Sequence, residues 1–374
     1  MFFLLFLLGT NWALPKTNPP IDPNYPFLFM WNAPTELCET RFGLGLDLSH
    51  FQLVSSTLKS ATNQRISIFY TDRFGLFPYV DEDTREMYNE GLPQLIDYQE
   101  HSKLAKDDIE LYIPTNQPGL AILDFEEWRP QWVRNWGSKV VYRDLSIETV
   151  KAKNSNLSDD EAKDRGKMMF EHAAKQYFLR SLLIGKTLRP NRLWGFYLYP
   201  DCYNYDYNQD ITHYSGTCPK IELERNDELM WLWKESTALF PSIYLELILR
   251  DSYHARLYVR HRIQEAMRVS MLPNHSYAIP VYAYIRPVFK DSSNDYMSEY
   301  DLVNTIGEAA SLGAAGIISW GDMDVTFSEQ RGYAVRLCVR RMDAAYESTG
   351  IEMTTYTSTL TPSRSRSTKQ ENWQ

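Results

Sequence analysis

The strongest constraint in this sequence is a recurrence: short apolar runs of strand length alternate with longer segments of helical periodicity. Strands are expected near 26–34 (PFLFMWNAP), 65–70 (RISIFY), 119–126 (GLAILDFE), 193–200 (LWGFYLYP), 241–247 (PSIYLEL), 279–286 (IPVYAYIR) and 314–322 (AAGIISWGD). The clearest helix between them follows Ser158, which forms a capping box with Glu161. It places Phe170, Ala173, Ala174, Tyr177, Phe178 and Leu182 on one face before Arg189-Pro190 ends it. Three further helical patterns cover 226–240, 258–272 and 298–314. Apolar strands alternating with helices specify an α/β fold with a parallel sheet covered on both faces. About seven strands fit a closed, distorted (β/α) barrel of the TIM type, helices outside, and no GxGxxG follows the first strand to support an open dinucleotide sheet.

In such a barrel the chemistry collects at the C-terminal ends of the strands. Asn32, Tyr70 with Asp72, Asp124 with Glu126, Tyr197 with Asp201, Tyr244, Tyr284 and Trp320 all fall there. The stretch GLAILDFEEWRP (119–130) is the most unusual, because an apolar run ends in Asp124, Glu126 and Glu127. Strand alternation puts Asp124 and Glu126 on one face, and Phe125 and Glu127 on the other. Two neighbouring carboxyls do not both ionise cheaply. Glu126, nearer the strand end, is therefore expected to carry the raised pKa and act as proton donor, with Asp124 in support. Glu127 is expected to be structural, paired with Arg129 or another cation. Two carboxyls on one strand face stand too close to flank a glycosidic bond from opposite sides. Hydrolysis of a sugar chain would instead use the acetamido oxygen of the substrate as nucleophile, with hydroxyls such as Tyr197 and Tyr244 around that amide.

The net charge of −9 argues against a surface built for nucleic acid or an anionic membrane. The sequence has neither HExxH nor CxxC, so neither a metal centre nor a cofactor is expected. Aromatic residues make up 14%, a surplus that suits core packing or a cleft for sugar rings. The opening MFFLLFLLGTNWALP reads as a signal peptide over residues 1–14, and Asn156-Leu-Ser and Asn274-His-Ser are glycosylation sequons, so secretion is expected. Four cysteines, Cys38, Cys202, Cys218 and Cys338, suggest two disulfides with three connectivities open; a local loop between Cys202 and Cys218 is the simplest. Residues 346–374, rich in Ser, Thr and charge, are read as a disordered tail.

Six segments in order, MWNAPTELC, IFYTDRFGLFPY, LDFEEWRPQWVRNW, LRPNRLWGFYLYPDCYNYD, WLWKESTALFPSIY and AAGIISWGDM, resemble the vertebrate hyaluronidases of glycoside hydrolase family 56, over about residues 24–328. The resemblance implies a distorted TIM-type barrel with an elongated groove. It implies cleavage of β-1,4 N-acetylglucosaminidic bonds in hyaluronan, more slowly in chondroitin, with retention through substrate assistance. Glu126 resembles the family's acid/base and Asp124 the partner that orients and charge-stabilises the acetamido group. Tyr197 resembles the tyrosine that contacts that group, Tyr244 another pocket tyrosine, and Arg262 the arginine that meets a glucuronate carboxylate. Tyr70, Trp136, Asp201, Tyr203, Tyr284 and Trp320 match substrate-binding positions along the groove.

Cys202 with Cys218 matches a family disulfide, and Cys38 is the family's other barrel cysteine. Gly332 occupies the place of that cysteine's usual partner, and Cys338 follows six residues later. Phe125 stands where the family has Trp. The EGF-like module and any C-terminal hydrophobic tail or lipid-anchor signal are absent. The barrel is thus expected over 15–345, complete except for its last helix, as a monomer without a membrane anchor, in an extracellular, acrosomal or lysosomal setting. The altered C-terminus motivates a rival reading: a catalytically impaired protein that binds hyaluronan or the egg coat.

Overall fold

Period-two alternation of buried side chains generates seven parallel strands: β1 Leu28–Asn32, β2 Leu53–Ser55, β3 Ile66–Phe69, β4 Gly119–Leu123, β5 Arg192–Phe196, β6 Tyr282–Ile285 and β7 Gly316–Trp320. The structure is a computed structural model describing residues 21–348. Two sheets, in the orders β2-β1-β7-β6 and β3-β4-β5, make most of the wall. Between β5 and β6 the chain is stitched in by single parallel bridges, Tyr197 to Phe240, Leu239 to Val281 and Ser242 to Tyr284. Between β2 and β3 side chains replace a ladder: the Ile66 N–H donates to Ser55 Oγ at 3.2 Å and the Ser56 N–H to Gln64 Oε1 at 2.6 Å.

Leu28, Met30, Ile66, Ile68, Leu120, Ile122, Tyr282, Tyr284 and Ile318 point into the ring. Phe29, Trp31, Phe69, Leu123, Trp194, Phe196 and Ile317 point out, under the helices. Gly195 is required on the inner face, because a Cβ there would lie 2.2 Å from the Ala238 carbonyl oxygen and hold the bridging segment off the wall. The outer layer contains α1 Glu36–Phe42, α2 Tyr98–Tyr112, α3 Val140–Lys153, α4 Asp159–Leu188, α5 Tyr253–Met271 and α6 Glu329–Ser348. The expected capping box of Ser158 and Glu161 opens α4.

Several expected elements differ. The strand at 241–247 is replaced by the isolated bridges around 239–242, since Pro241 offers no N–H to a ladder and Leu247–Leu249 winds into a 3-10 turn. The helix at 226–240 runs instead over Lys220–Glu228, with a short turn at Met230–Trp233. The Trp233 indole donates to the Asn226 carbonyl oxygen at 2.7 Å, folding the chain back toward the wall. The helix at 298–314 carries a π-turn at Val303–Gly307. The last helix, expected to be missing, is present as α6. Val335, Cys338, Val339, Met342 and Ala345 are buried, and the Tyr346 ring stacks on Phe29 at 5.1 Å. Residues 346–348 thus belong to the barrel rather than the tail. The remainder of the tail and the signal peptide reading lie outside the described residues.

Cys202 and Cys218 are joined, with Cα atoms 5.0 Å apart. The pairing of Cys38 with Cys338 is not formed: both thiols are buried and free, and that of Cys338 donates to the Pro287 carbonyl oxygen at 3.5 Å. Cys38 instead faces Gly332, where an added Cβ would stand 3.8 Å from the Cys38 Cβ. Peptide mapping without reduction is expected to recover one linked pair, Cys202–Cys218, and alkylated thiols at Cys38 and Cys338 after unfolding. A Cys38–Cys338 crosslink would contradict this arrangement.

Candidate active site

The inward faces of the strands converge at their C-terminal ends on a cavity of about 370 Å³. Parallel register puts Tyr70, Asp124 and Tyr197 in one row, since the Asp124 N–H donates to the Phe69 carbonyl oxygen at 2.9 Å and the Tyr197 N–H to that of Leu123 at 3.0 Å. Asp124, Glu126, Tyr197, Asp201, Tyr203, Tyr244, Tyr284 and Trp320 line the cavity. Phe125 points the other way, into the outer layer, with its ring 4.6 Å from Phe77 and 5.8 Å from Phe196.

The pair Asp124 and Glu126 is asymmetric. Asp124 lies deep in the site, whereas the Glu126 side chain is 51% exposed at the mouth. Burial, then the charges of Glu126 and Glu127, push the Asp124 carboxyl well above its ordinary value. A raised carboxyl thus stands at Asp124, the member set deeper in the site, where the expectation had named Glu126. Arg129 is also reassigned. It reaches Glu126, at 3.6 Å between Nη2 and Oε2, and its Nη1 donates to the Glu126 carbonyl oxygen at 2.5 Å. Burial raises the Glu127 carboxyl, and the nearest opposing charge is Lys139.

Tyrosines surround the carboxylates. The Tyr197 hydroxyl is hydrogen-bonded with Ser242 and Tyr244, and its ring meets Tyr284 edge-on at 5.1 Å. The buried Tyr284 hydroxyl has no partner among the described residues. Trp320 stacks near Tyr244 at 6.3 Å and its indole donates to Tyr70 Oη at 3.0 Å, which places Tyr70 behind Trp320 at the edge of the cavity. Trp136, 54% exposed, stands outside the cavity and touches it through Tyr203, at 5.6 Å and 90°.

Arg262 is the clearest correction. Its side chain is 2% exposed and its Nη1 lies 3.1 Å from Asp201 Oδ1, with a further bond from Nε to Asn204 Oδ1 at 2.9 Å. A buried guanidinium already paired with a carboxylate is not available to a substrate carboxylate. Its role is to hold Asp201. Burial alone would raise the Asp201 carboxyl, but Arg262 and Arg134 bring it below the ordinary range, so Asp201 stays charged at the cavity wall. The cations that do line the cavity are Arg129, Arg286 and Lys290. Arg286 ends the expected strand at 279–286 and Lys290 follows it in the stretch YIRPVFK, and basic residues at or just past a strand end were the signal that could have found them. Among the described residues no cluster of His, Cys, Asp and Glu is placed to hold a metal ion.

The sequence profile of the hyaluronidase family, glycoside hydrolase family 56, matches residues 16–357. The chain belongs to that family. It is 51% identical to hyaluronidase-5 of Mus musculus over 308 residues, 82% of this chain and 58% of that one. It is 47% identical to hyaluronidase PH-20 of Homo sapiens over 323 residues, 86% of this chain and 63% of that one. The chain thus spans less than two thirds of the length of these relatives. The crystal structure of bee venom hyaluronidase in complex with a hyaluronic acid tetramer superposes with a TM-score of 0.75 at 27% identity, over 87% of this chain and 99% of that one. The family barrel expected from the six segments is the observed fold, with the seam between β2 and β3 as its irregularity.

Asp124 also carries a stability consequence. A carboxyl whose folded pKa lies above its unfolded value of about 3.9 binds its proton more tightly when folded. That contribution is lost as pH rises from there through the raised folded value. Asp124→Asn is therefore expected to raise the melting temperature at pH 7 by about 3 °C and to flatten its decline between pH 4 and neutrality. An unchanged or lower midpoint at pH 7 in calorimetry would count against a buried, protonated Asp124.

Proposed function

We propose that this chain is an endo-β-N-acetylhexosaminidase that hydrolyses the β-1,4 bonds of hyaluronan, and chondroitin less well, by a retaining, substrate-assisted route. The observation that carries the reading is the asymmetric pair, a deep Asp124 whose carboxyl is pushed up by burial beside a half-exposed Glu126, ringed by Tyr197, Tyr244 and Trp320. Relatives that bear the hyaluronidase name, and the bee venom enzyme crystallised with a hyaluronic acid tetramer, support the substrate class.

The chemistry follows from the geometry. Glu126, at the mouth, gives the single proton shared by the carboxyl pair to the glycosidic oxygen as the C–O bond breaks. The acetamido oxygen of the same sugar closes on the anomeric carbon from the opposite face, forming an oxazolinium ring. Asp124 orients the amide and, left as a carboxylate once that proton has passed through Glu126, offsets the positive charge that develops on the amide nitrogen. The Tyr197 hydroxyl, fixed by Ser242 and Tyr244, holds the acetamido oxygen in line. Glu126, now a carboxylate, takes a proton from the water that opens the ring, so two inversions give net retention. Trp320 and Tyr203 offer ring faces to sugar C–H edges, and water is excluded as they are covered.

The rival reading of an impaired binding protein rested on the altered C-terminus, and α6 packed on the barrel removes one part of that support, the missing last helix. The Cys202–Cys218 disulfide and the exposed positions of Asn156 and Asn274 suit an oxidising, secretory setting with glycans at both sites. No described helix is long and apolar enough to cross a membrane. The test is to incubate the purified chain with hyaluronan from pH 3 to 8 and follow new reducing ends, with NMR of the first-formed anomer. Release with retained β configuration is expected. No release at any pH, or inversion, would overturn the reading.

A further inference from the structure

Resting on the reading of hyaluronan as substrate, we propose that Lys290 is the cation that anchors a uronate carboxylate in the groove, and so separates this polymer from neutral N-acetylhexosamine chains. The cavity offers three cations. Arg129 is 16% exposed and engaged with Glu126, and Arg286 is 14% exposed and held by Asp322 at 2.7 Å. Lys290 is 47% exposed, with Glu246 as its ion-pair partner at 3.5 Å. Of the three cations the Lys290 ammonium is the most open to solvent and able to turn from Glu246 to another carboxylate, whereas the two guanidiniums are largely withdrawn from water.

The position of Lys290 is fixed from both sides. Its N–H donates to the Leu245 carbonyl oxygen at 2.8 Å, and the next residue, Asp291, accepts from the Leu247 N–H at 2.8 Å. The ammonium lies 5.2 Å from the centroid of the Tyr205 ring, which also lines the cavity. Arg262 packs against the same ring at 4.9 Å but is spent on Asp201. The Tyr205 ring therefore has one cation buried and paired with Asp201, and one, Lys290, that is half-exposed toward a ligand. Ring and ammonium together match a hexuronate, which presents C–H bonds to the ring and a carboxylate at its edge.

The experiment uses the full chain with Glu126→Gln, to prevent turnover, and fluorescence polarisation with labelled hyaluronan hexasaccharide and its carboxyl-reduced counterpart. Adding Lys290→Ala is expected to raise Kd for the charged oligomer about fivefold, leave the neutral one within about twofold, and lessen the loss of binding with added salt. Lys290→Arg should restore the charged preference. In the hydrolytic wild-type background the same change should appear in KM rather than kcat. Equal weakening of both oligomers, or no change in either, would overturn the assignment while leaving the functional reading intact. Failure of the parent Glu126→Gln protein to bind hyaluronan at all would overturn the functional reading, and this assignment with it.

Discussion

Glu126→Gln is expected to lower the rate of hyaluronan hydrolysis by about a thousandfold, the loss typical of a removed general acid, with binding retained. The side chain is half-exposed and its amide analogue has the same shape, so the fold loses no packed volume. Arg129 keeps its hydrogen bond to the carbonyl oxygen of residue 126, so the turn beyond β4 stays in place. What disappears is the transferable proton, and it is needed twice, once for the leaving oxygen and once from the attacking water. Both kcat and kcat/KM should therefore fall together. Activity within about tenfold of wild type would place the proton donor elsewhere in the cavity. Asp124→Asn serves as the partner experiment. It should also be slow, but with a gain in stability at neutral pH, because burial raises the Asp124 carboxyl.

Gly332→Cys is expected to close a disulfide with Cys38 and to raise the melting temperature on the order of 10 °C. An ideal Cβ at position 332 lies 3.8 Å from the Cys38 Cβ, inside the range of about 3.5–4.5 Å found for disulfides. Such a bond would tie α1 to α6 and enclose nearly the whole barrel in one covalent loop. In the chain-entropy limit that is worth about 5 kcal/mol. The obstacle is Leu44 Cδ1, 3.1 Å from the new Cβ, the far end of a side chain that can turn aside. Replacing a helical glycine also brings about 1 kcal/mol on its own, so Gly332→Ala is the control. Only the cysteine variant should lose its gain in reductant. A midpoint insensitive to reductant would show that the two helices are not held at this spacing.

The barrel was legible because its strands are short apolar runs set between helical segments, and a two-residue alternation assigns the faces within each run. That same alternation correctly sent Asp124 and Glu126 inward and Phe125 outward. Two parts of the wall gave no such signal. β2 has three residues, and its middle one, Val54, is 49% exposed, so it has neither length nor pattern. The segment around 239–242 is held by bridges to neighbours rather than by propensity of its own. The site was readable in its types more than in its electrostatics. Which of two carboxyls keeps a proton depends on depth, and which arginine meets solvent depends on partners distant in sequence. Arg262 stands opposite Asp201 only because α5 packs behind the loop that follows β5.

The seating of Tyr346 against Phe29 has a consequence for biosynthesis. β1 is made early, yet one of its ladder partners is β7 and one of its ring contacts comes from the end of α6. While the chain is still emerging from the ribosome, β1 has β2 on one flank and an unpaired edge on the other, with Phe29 and Phe51 stacked but uncovered. The second flank of β1 is paired only after β7 has emerged, and its outer face is covered only after residue 346, so both are late events joining segments far apart in sequence, of the kind that favours slow folding and chaperone engagement.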